Sequence, residues 1–156
     1  MNQLTTIDGP LASDTITLSY DALGRRTGWS VDNAGAASLV YGDYGRPQTA
    51  TNPLGTFTYN YPDPVSTLVS SITATSGPNI SFSYLDAAHD QRLGEIWHKD
   101  AGNQTISKFN YEYNVLGQIT RWTQQADANT PQAYSLDYDR VSQLKSAALR
   151  DASERY

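Results

Sequence analysis

The chain has 156 residues, a formal net charge of −5, 38% hydrophobic and 17% charged residues, and no Cys. That charge gives no electrostatic footing for nucleic acid or an anionic membrane, and the absence of cysteine excludes disulfides and thiolate metal sites. No run of 18 apolar residues and no signal-like N-terminus is present, so the chain is expected neither to span nor to enter a membrane by itself.

With so few charges the surface must be rich in Thr, Ser, Asn and Gln. β-branched and aromatic residues set between frequent turn formers, with 11 Tyr, 11 Gly and 7 Pro, predict an all-β protein. In chain order, Gln3-Leu4-Thr5 reads as the start of a strand and Ile7-Asp8-Gly9-Pro10 as a turn. Ile16, Leu18 and Tyr20 then alternate with polar residues, the period-2 pattern of a strand with one buried face. Gly24 supplies the backbone freedom for the reversal that follows, and Asp21 is placed to bond back to nearby N–H groups.

This hairpin recurs. Tyr20, Tyr41, Tyr61, Tyr84, Tyr113 and Tyr138 are anchors spaced by 21, 20, 23, 29 and 25 residues. The two alternate positions before each are apolar: Ile16/Leu18, Ala37/Leu39, Phe57/Tyr59, Ile80/Phe82, Phe109/Tyr111 and Tyr134/Leu136. Of the twelve intervening positions, eleven are polar, so six half-buried strands follow. After its anchor the chain turns, with Gly45 and Gly117 in the place of Gly24, Ser142 in the last copy, prolines after Tyr61 and an insertion after Tyr84. Return strands are predicted over 25–31, 46–51, 65–73, 92–99, 118–125 and 143–149. A second set of turns, Asp32–Gly35, Asn52–Gly55, Ser76–Asn79, Asp100–Asn103 and Ala126–Pro131, feeds the next anchor strand.

The expected fold is thus an antiparallel meander of about a dozen strands, twisted and curled. Residues 1–156 read as one repeat array, with Tyr156 where a further anchor strand would begin, as if cut from a longer repeat protein. Edges left unpaired at Leu4 and near Leu149 predict association through strands, with other repeats or with further copies of the chain.

Tyr20-Asp21-Ala22-Leu23-Gly24-Arg25, followed by Tyr41…Gly45-Arg46 and Tyr113-Asn114…Gly117-Gln118, resembles the YD repeat of RHS-repeat proteins. The copies at Tyr61, Tyr84 and Tyr138 are degenerate. The family includes bacterial polymorphic toxins, wall-associated proteins, Tc-toxin components and teneurins. The resemblance implies a β-sheet that spirals into a hollow shell, in toxins around a C-terminal effector, and a secreted or cell-surface location. The family's Asp-containing self-cleavage motif has no counterpart in this chain, so that activity is not expected.

Candidate sites are few. His89-Asp90 with Asp86 suggests a metal or acid–base cluster, but it lies in the insertion after Tyr84, where a solvated polar loop is the simpler explanation. His98, between Trp97 and Lys99, reads as a surface or cross-strand residue. Asp32–Gly35 and Asp100–Asn103 lack the alternating acidic ligands of a calcium loop. Trp29, Trp97 and Trp122 fall at similar places on return strands, so they either stack on glycans or belong to the apolar face. The sequence therefore predicts no cofactor, no metal and no catalytic residue. It predicts a structural module, with a carbohydrate- or cell-surface-binding module as the alternative.

Overall fold

The computed structural model describes residues 3–32 and 34–151. Thirteen strands follow one another: β1 (Thr6–Ile7), β2 (Ile16–Tyr20), β3 (Arg26–Val31), β4 (Gly35–Tyr41), β5 (Pro47–Asn52), β6 (Gly55–Asn60), β7 (Ser71–Ala74), β8 (Asn79–Tyr84), β9 (Leu93–Lys99), β10 (Thr105–Tyr113), β11 (Ile119–Ala126), β12 (Gln132–Tyr138) and β13 (Leu144–Asp151). Two short 3₁₀ turns, Asp43–Gly45 and Ala87–His89, interrupt them. The chain forms two compact units, Met1–Ser76 with β1–β7 and Gly77–Tyr156 with β8–β13. Within each unit every strand pairs antiparallel with the next in sequence, so the architecture is the all-β antiparallel meander that the alternating pattern predicts.

Register places the apolar triplets on one face. In the first unit Leu18 faces Trp29, which faces Ala37, and Leu39, Ala50 and Phe57 form a second row. In the second unit Phe82, Ile96 and Phe109 line up, as do Tyr111, Trp122, Tyr134 and Leu149. Most of these side chains are half-buried, and Trp29 and Leu149 are exposed: among the described residues only Ala133 is fully buried, and it lies on the other face, between Thr123 and Arg150. Cross-strand pairs, rather than a closed core, hold such a sheet together.

Five of the anchors, Tyr20, Tyr41, Tyr84, Tyr113 and Tyr138, sit at a register slip. At Tyr20, for example, Ser19 pairs with Gly28 but Tyr20 pairs with Arg26, leaving Thr27 as the extra residue. Each is a β-bulge on the return strand, which bends the strand as it leaves the turn.

Three expectations are corrected. The return strand expected over 65–73 begins only at Ser71. Pro62 and Pro64 have no N–H to give to a ladder, and Asp63 Oδ1 takes the amides of Val65 (2.9 Å) and Ser66 (2.7 Å), which ties that segment to itself. The N-terminal strand, expected to start at Gln3, is Thr6–Ile7, and Ile7, expected in the turn, belongs to it because it pairs with Ile16; the Thr5 carbonyl still accepts from the Leu18 amide. Tyr61 lies one residue past the end of β6. The strand expected to begin at Tyr156 falls outside the described residues, as does Asn33 of the turn between β3 and β4.

Candidate functional site

The turns after Tyr20, Tyr113 and Tyr138 are each built by one side chain. Asp21 Oδ1 accepts the amides of Leu23 and Arg25, both at 2.9 Å, while its own amide bonds to the Arg25 carbonyl and its carbonyl takes Gly24 N–H. Asn114 does the same for Leu116 and Gln118, and Asp139 for Val141 and Gln143. Asp100, in a turn of the second set, repeats it for Gly102 and Gln104. The fourth residue of each turn is left-handed: Gly24 (φ 81°), Gly117 (81°), Ser142 (66°) and Asn103 (63°). Asp100 Oδ1 is therefore a turn acceptor, in keeping with the absence of a calcium-loop ligand pattern over Asp100–Asn103. Asp21 also holds Arg25, Oδ2 to Nε at 2.6 Å. Burial pushes its carboxyl upward, but the bonds from the Arg25 backbone and guanidinium and from Leu23 outweigh this and leave it below its ordinary 3.8.

The remaining motif residues act on the neighbouring repeat. Tyr41 Oη donates to the Arg26 carbonyl (3.1 Å), Tyr61 to Pro47 (2.8 Å), Tyr113 to Leu93 (2.7 Å) and Tyr138 to Ile119 (2.9 Å). Each acceptor is the first residue of the preceding return strand. Tyr20 reaches the Leu4 carbonyl in the same way at 2.8 Å. The guanidinium that closes one turn lies over the next anchor ring: Arg25 over Tyr41 at 4.2 Å, Arg46 over Tyr61 at 4.3 Å and Arg92 over Tyr113 at 5.7 Å. Arg46 also donates to the Asp63 and Ser66 carbonyls, and Arg92 Nη1 to the Asn114 carbonyl at 3.5 Å.

The glycines answer to the same arginines. A Cβ on Gly117 would lie 3.0 Å from Arg92 Cζ, and one on Gly45 3.1 Å from Arg25 Nη1. Where the earlier turn closes with Gln118 instead of Arg, the next turn carries Ser142 at the glycine position. Tyr, Gly and Arg thus form an interlock between successive repeats. Arg25 and Arg46 stand in the sequence motif, but their contacts with the next repeat, and the place of Arg92 in the same set, are not exposed by the spacing of Tyr and Gly.

The three tryptophans do not share one setting. Trp29 lies on the apolar face, 41% exposed, beside a hollow of about 200 Å³ lined by Arg26, Ala37, Leu39 and Asn52. Trp122 lies on the apolar face of its unit, stacked between Tyr134 (5.2 Å) and Phe109 (6.4 Å), its Nε1 buried without a partner. Trp97, one residue later relative to its turn, faces the other side. Its Nε1 donates to Thr105 Oγ1 at 3.0 Å, and Lys99 and Lys108 lie 3.9 and 4.6 Å from its ring centre.

Asp86 and His89 meet at 2.5 Å, but both are exposed, and the same carboxylate caps the 3₁₀ turn through the His89 amide. The hydrogen bond from His89 and its charge, opposed by burial, hold Asp86 below 3.8. Asp90 pairs with Arg92 at 2.6 Å rather than joining them. His98 Nδ1 meets Ser107 Oγ across the ladder at 3.1 Å and packs edge-on against Phe109. No carboxylate touches the ring among the described contacts, so this is a cross-strand pair rather than an oriented nucleophile and base. Among the described residues no group of three or more His, Asp or Glu is arranged to hold a metal ion, and no helix is long and apolar enough to cross a membrane.

No family model matches the chain, and no curated protein does. Among solved structures it is similar to a chain of "Crystal Structure of TcdB2-TccC3-Cdc42", with a TM-score of 0.69 and 18% identity, over 85% of this chain and 7% of that one. A chain of "Crystal Structure of TcdB2-TccC3-TEV" gives 0.68 and 19%, over 87% and 7%. The chain thus spans only a small fraction of the length of either. Alternating strands, bulged anchors and this likeness agree: the chain has the RHS-like β-repeat fold of these Tc-toxin chains.

Proposed function

We propose that the chain is a non-catalytic structural module, one array of RHS-type repeat wall that helps a larger toxin-like parent enclose or present an effector. The observation that carries this is the interlock: Tyr41, Tyr61, Tyr113 and Tyr138, Gly45 and Gly117, and Arg25, Arg46 and Arg92 meet residues of the adjacent repeat, and the histidines pair with Asp86 and Ser107. On this reading its partners are other repeats of the parent or further copies meeting at sheet edges, and its location is secreted or cell-surface. The test is the parent's own sequence together with turnover assays on the chain. Further Tyr-Asp-x-x-Gly-Arg copies beside a C-terminal effector domain support the proposal. Hydrolysis of ester, peptide, phosphate or glycoside probes that disappears in His98→Ala or Asp86→Ala overturns it.

A second reading, a carbohydrate- or cell-surface-binding module, is favoured at one place. Trp29 combines an exposed indole with the adjacent hollow and the polar groups of Arg26 and Asn52. Trp97 and Trp122 have their rings engaged by lysines and by aromatic neighbours. A glycan array with a signal that Trp29→Ala removes supports this reading, and an array without signal rejects it.

A further inference from the structure

Two positions of the first unit depart from the repeat, and they meet beside Trp29. Opposite the anchor tyrosine, at the bulge, four return strands carry Pro47, Leu93, Ile119 and Leu144, all apolar, but β3 carries Arg26. The first residue of the anchor triplet is Ile16, Phe57, Ile80, Phe109 or Tyr134 in five copies and Ala37 in the other. A position that breaks a local rule without a gain in packing is where function is expected. We infer that the hollow beside Trp29 binds one acidic sugar ring, a pyranose that bears a carboxylate. This rests on the carbohydrate reading of Trp29 and names the class of sugar.

The bulge brings the two polar and aromatic groups together. Arg26 and Trp29 are three positions apart, which in a regular strand puts them on opposite faces. The extra Thr27 shifts the alternation by one, so Arg26 stands opposite Tyr20 as Trp29 stands opposite Leu18, on one face. Trp29 also pairs with Ala37, whose methyl group leaves open the space that a large side chain fills in the other copies. Asn52 lines the hollow from β5, on the far side of β4. At about 200 Å³ it is smaller than the ~300–1,000 Å³ of pockets for drug-sized ligands, so it suits one ring rather than a chain. The indole face is electron-rich and attracts the C–H face of a pyranose. Unlike Trp97 and Trp122, Trp29 has no described ring or cation against it.

Charge selects the acid. The first unit has three basic side chains, Arg25, Arg26 and Arg46. Arg25 pairs with Asp21, and Arg46 bonds to the Asp63 and Ser66 carbonyls, whereas no described group pairs with the exposed Arg26. No Asp or Glu is among the described residues that line the hollow. A guanidinium matches a carboxylate through two parallel N–H bonds. Asn52 Oδ1 already accepts the Leu54 amide at 2.8 Å, so its NH₂ is left to donate to a ring hydroxyl.

The test uses the full isotope-labelled chain, with methyl glucuronide, a methyl sialoside and neutral methyl glucoside as probes. The Trp29 indole N–H should shift saturably with at least one acid, and the tighter of the two tells a uronate from a sialate. Binding should be about 10-fold or more weaker for the glucoside, and for the acid on Arg26→Gln, the loss of one charge-assisted pair. Arg26→Gln keeps the backbone carbonyl that Tyr41 takes, and unchanged amide signals in the second unit show that it is folded. Equal binding of glucoside and acid, abolished by Trp29→Ala, keeps the carbohydrate reading and overturns this inference. Acid binding that Arg26→Gln leaves intact, or acetate acting as well as the sugar acids, overturns it too. So does no shift with any probe at ~50 mM, and a glycan array without signal then removes the reading beneath it.

Discussion

The interlock predicts a coupling that a single turn cannot show. Gly117 is left-handed at φ 81°, and a Cβ there would meet Arg92 Cζ at 3.0 Å, Nη2 at 3.1 Å and Nε at 3.3 Å. Gly117→Ser should therefore cost about 1–2 kcal/mol for the left-handed backbone and ~0.5–1 more for pushing the guanidinium off the Tyr113 ring. Ser142 shows that the backbone cost alone is tolerable: it sits at φ 66° in the equivalent turn, which follows Gln118 rather than an arginine. In an Arg92→Gln background the same Gly117→Ser change should then cost only the backbone part. The expected coupling is about 0.5–1 kcal/mol, against ~0.3–0.5 for independent sites. Urea unfolding of the four proteins measures it, in a Trp29→Phe background so that the remaining Trp97 and Trp122 report the second unit alone. Additive effects would refute the claim that the arginine of one repeat selects the turn residue of the next.

Tyr113→Phe and Tyr138→Phe should each destabilise the second unit by ~0.5–1.5 kcal/mol, through loss of a hydroxyl–carbonyl bond, in the same unfolding assay; unchanged midpoints would leave those bonds without weight. Because Asp21 is held below 3.8 in the folded chain, its contribution is present above about pH 4 and is lost as the pH falls through the lowered value. Asp21→Asn should remove that acid-sensitive component while keeping the turn, as Asn114 does, and Asp21→Ala should lose the turn as well; Trp29 fluorescence from pH 2 to 6, on the order of the range where carboxylates titrate, checks both. Trp122→Phe keeps a ring between Phe109 and Tyr134 and removes a buried N–H without a partner. It should cost less than ~1 kcal/mol by denaturation, whereas Trp122→Ala should cost ~3–5.

The alternation of Ile16, Leu18 and Tyr20 and of its five relatives was sufficient for strand type, order and facing, because a period of two leaves one choice of buried face. Segment 65–70 was misread for a local reason: Val65, Leu68 and Val69 give an apolar count without revealing that Asp63 and Ser66 hold its amides. The bulges were not legible at all. An extra residue such as Thr27 or Thr120 has no composition of its own and shows only as a register slip. The tryptophans show the limit of counting from a turn: one residue separates the place of Trp97 from that of Trp122, and in a strand one residue changes the face.

The candidate site followed the same division. Tyr and Gly were visible as marks because they recur, but what they contact is set across strands, and the partner of each lies about twenty residues away in the next or preceding repeat. The motif is therefore better written across a boundary than within a copy: Arg25 with Tyr41 and Gly45, Arg92 with Tyr113 and Gly117, Gln118 with Tyr138 and Ser142. In that form the copy at Tyr138 is not a decayed repeat. Its Ser142 follows a turn that closes with Gln118, where Gly45 and Gly117 follow turns that close with Arg25 and Arg92, and its Asp139 builds the same turn as Asp21. Restoring the consensus there one residue at a time, with Gln118→Arg alone, would bring a guanidinium against a serine side chain, so the change should be tolerated only together with Ser142→Gly.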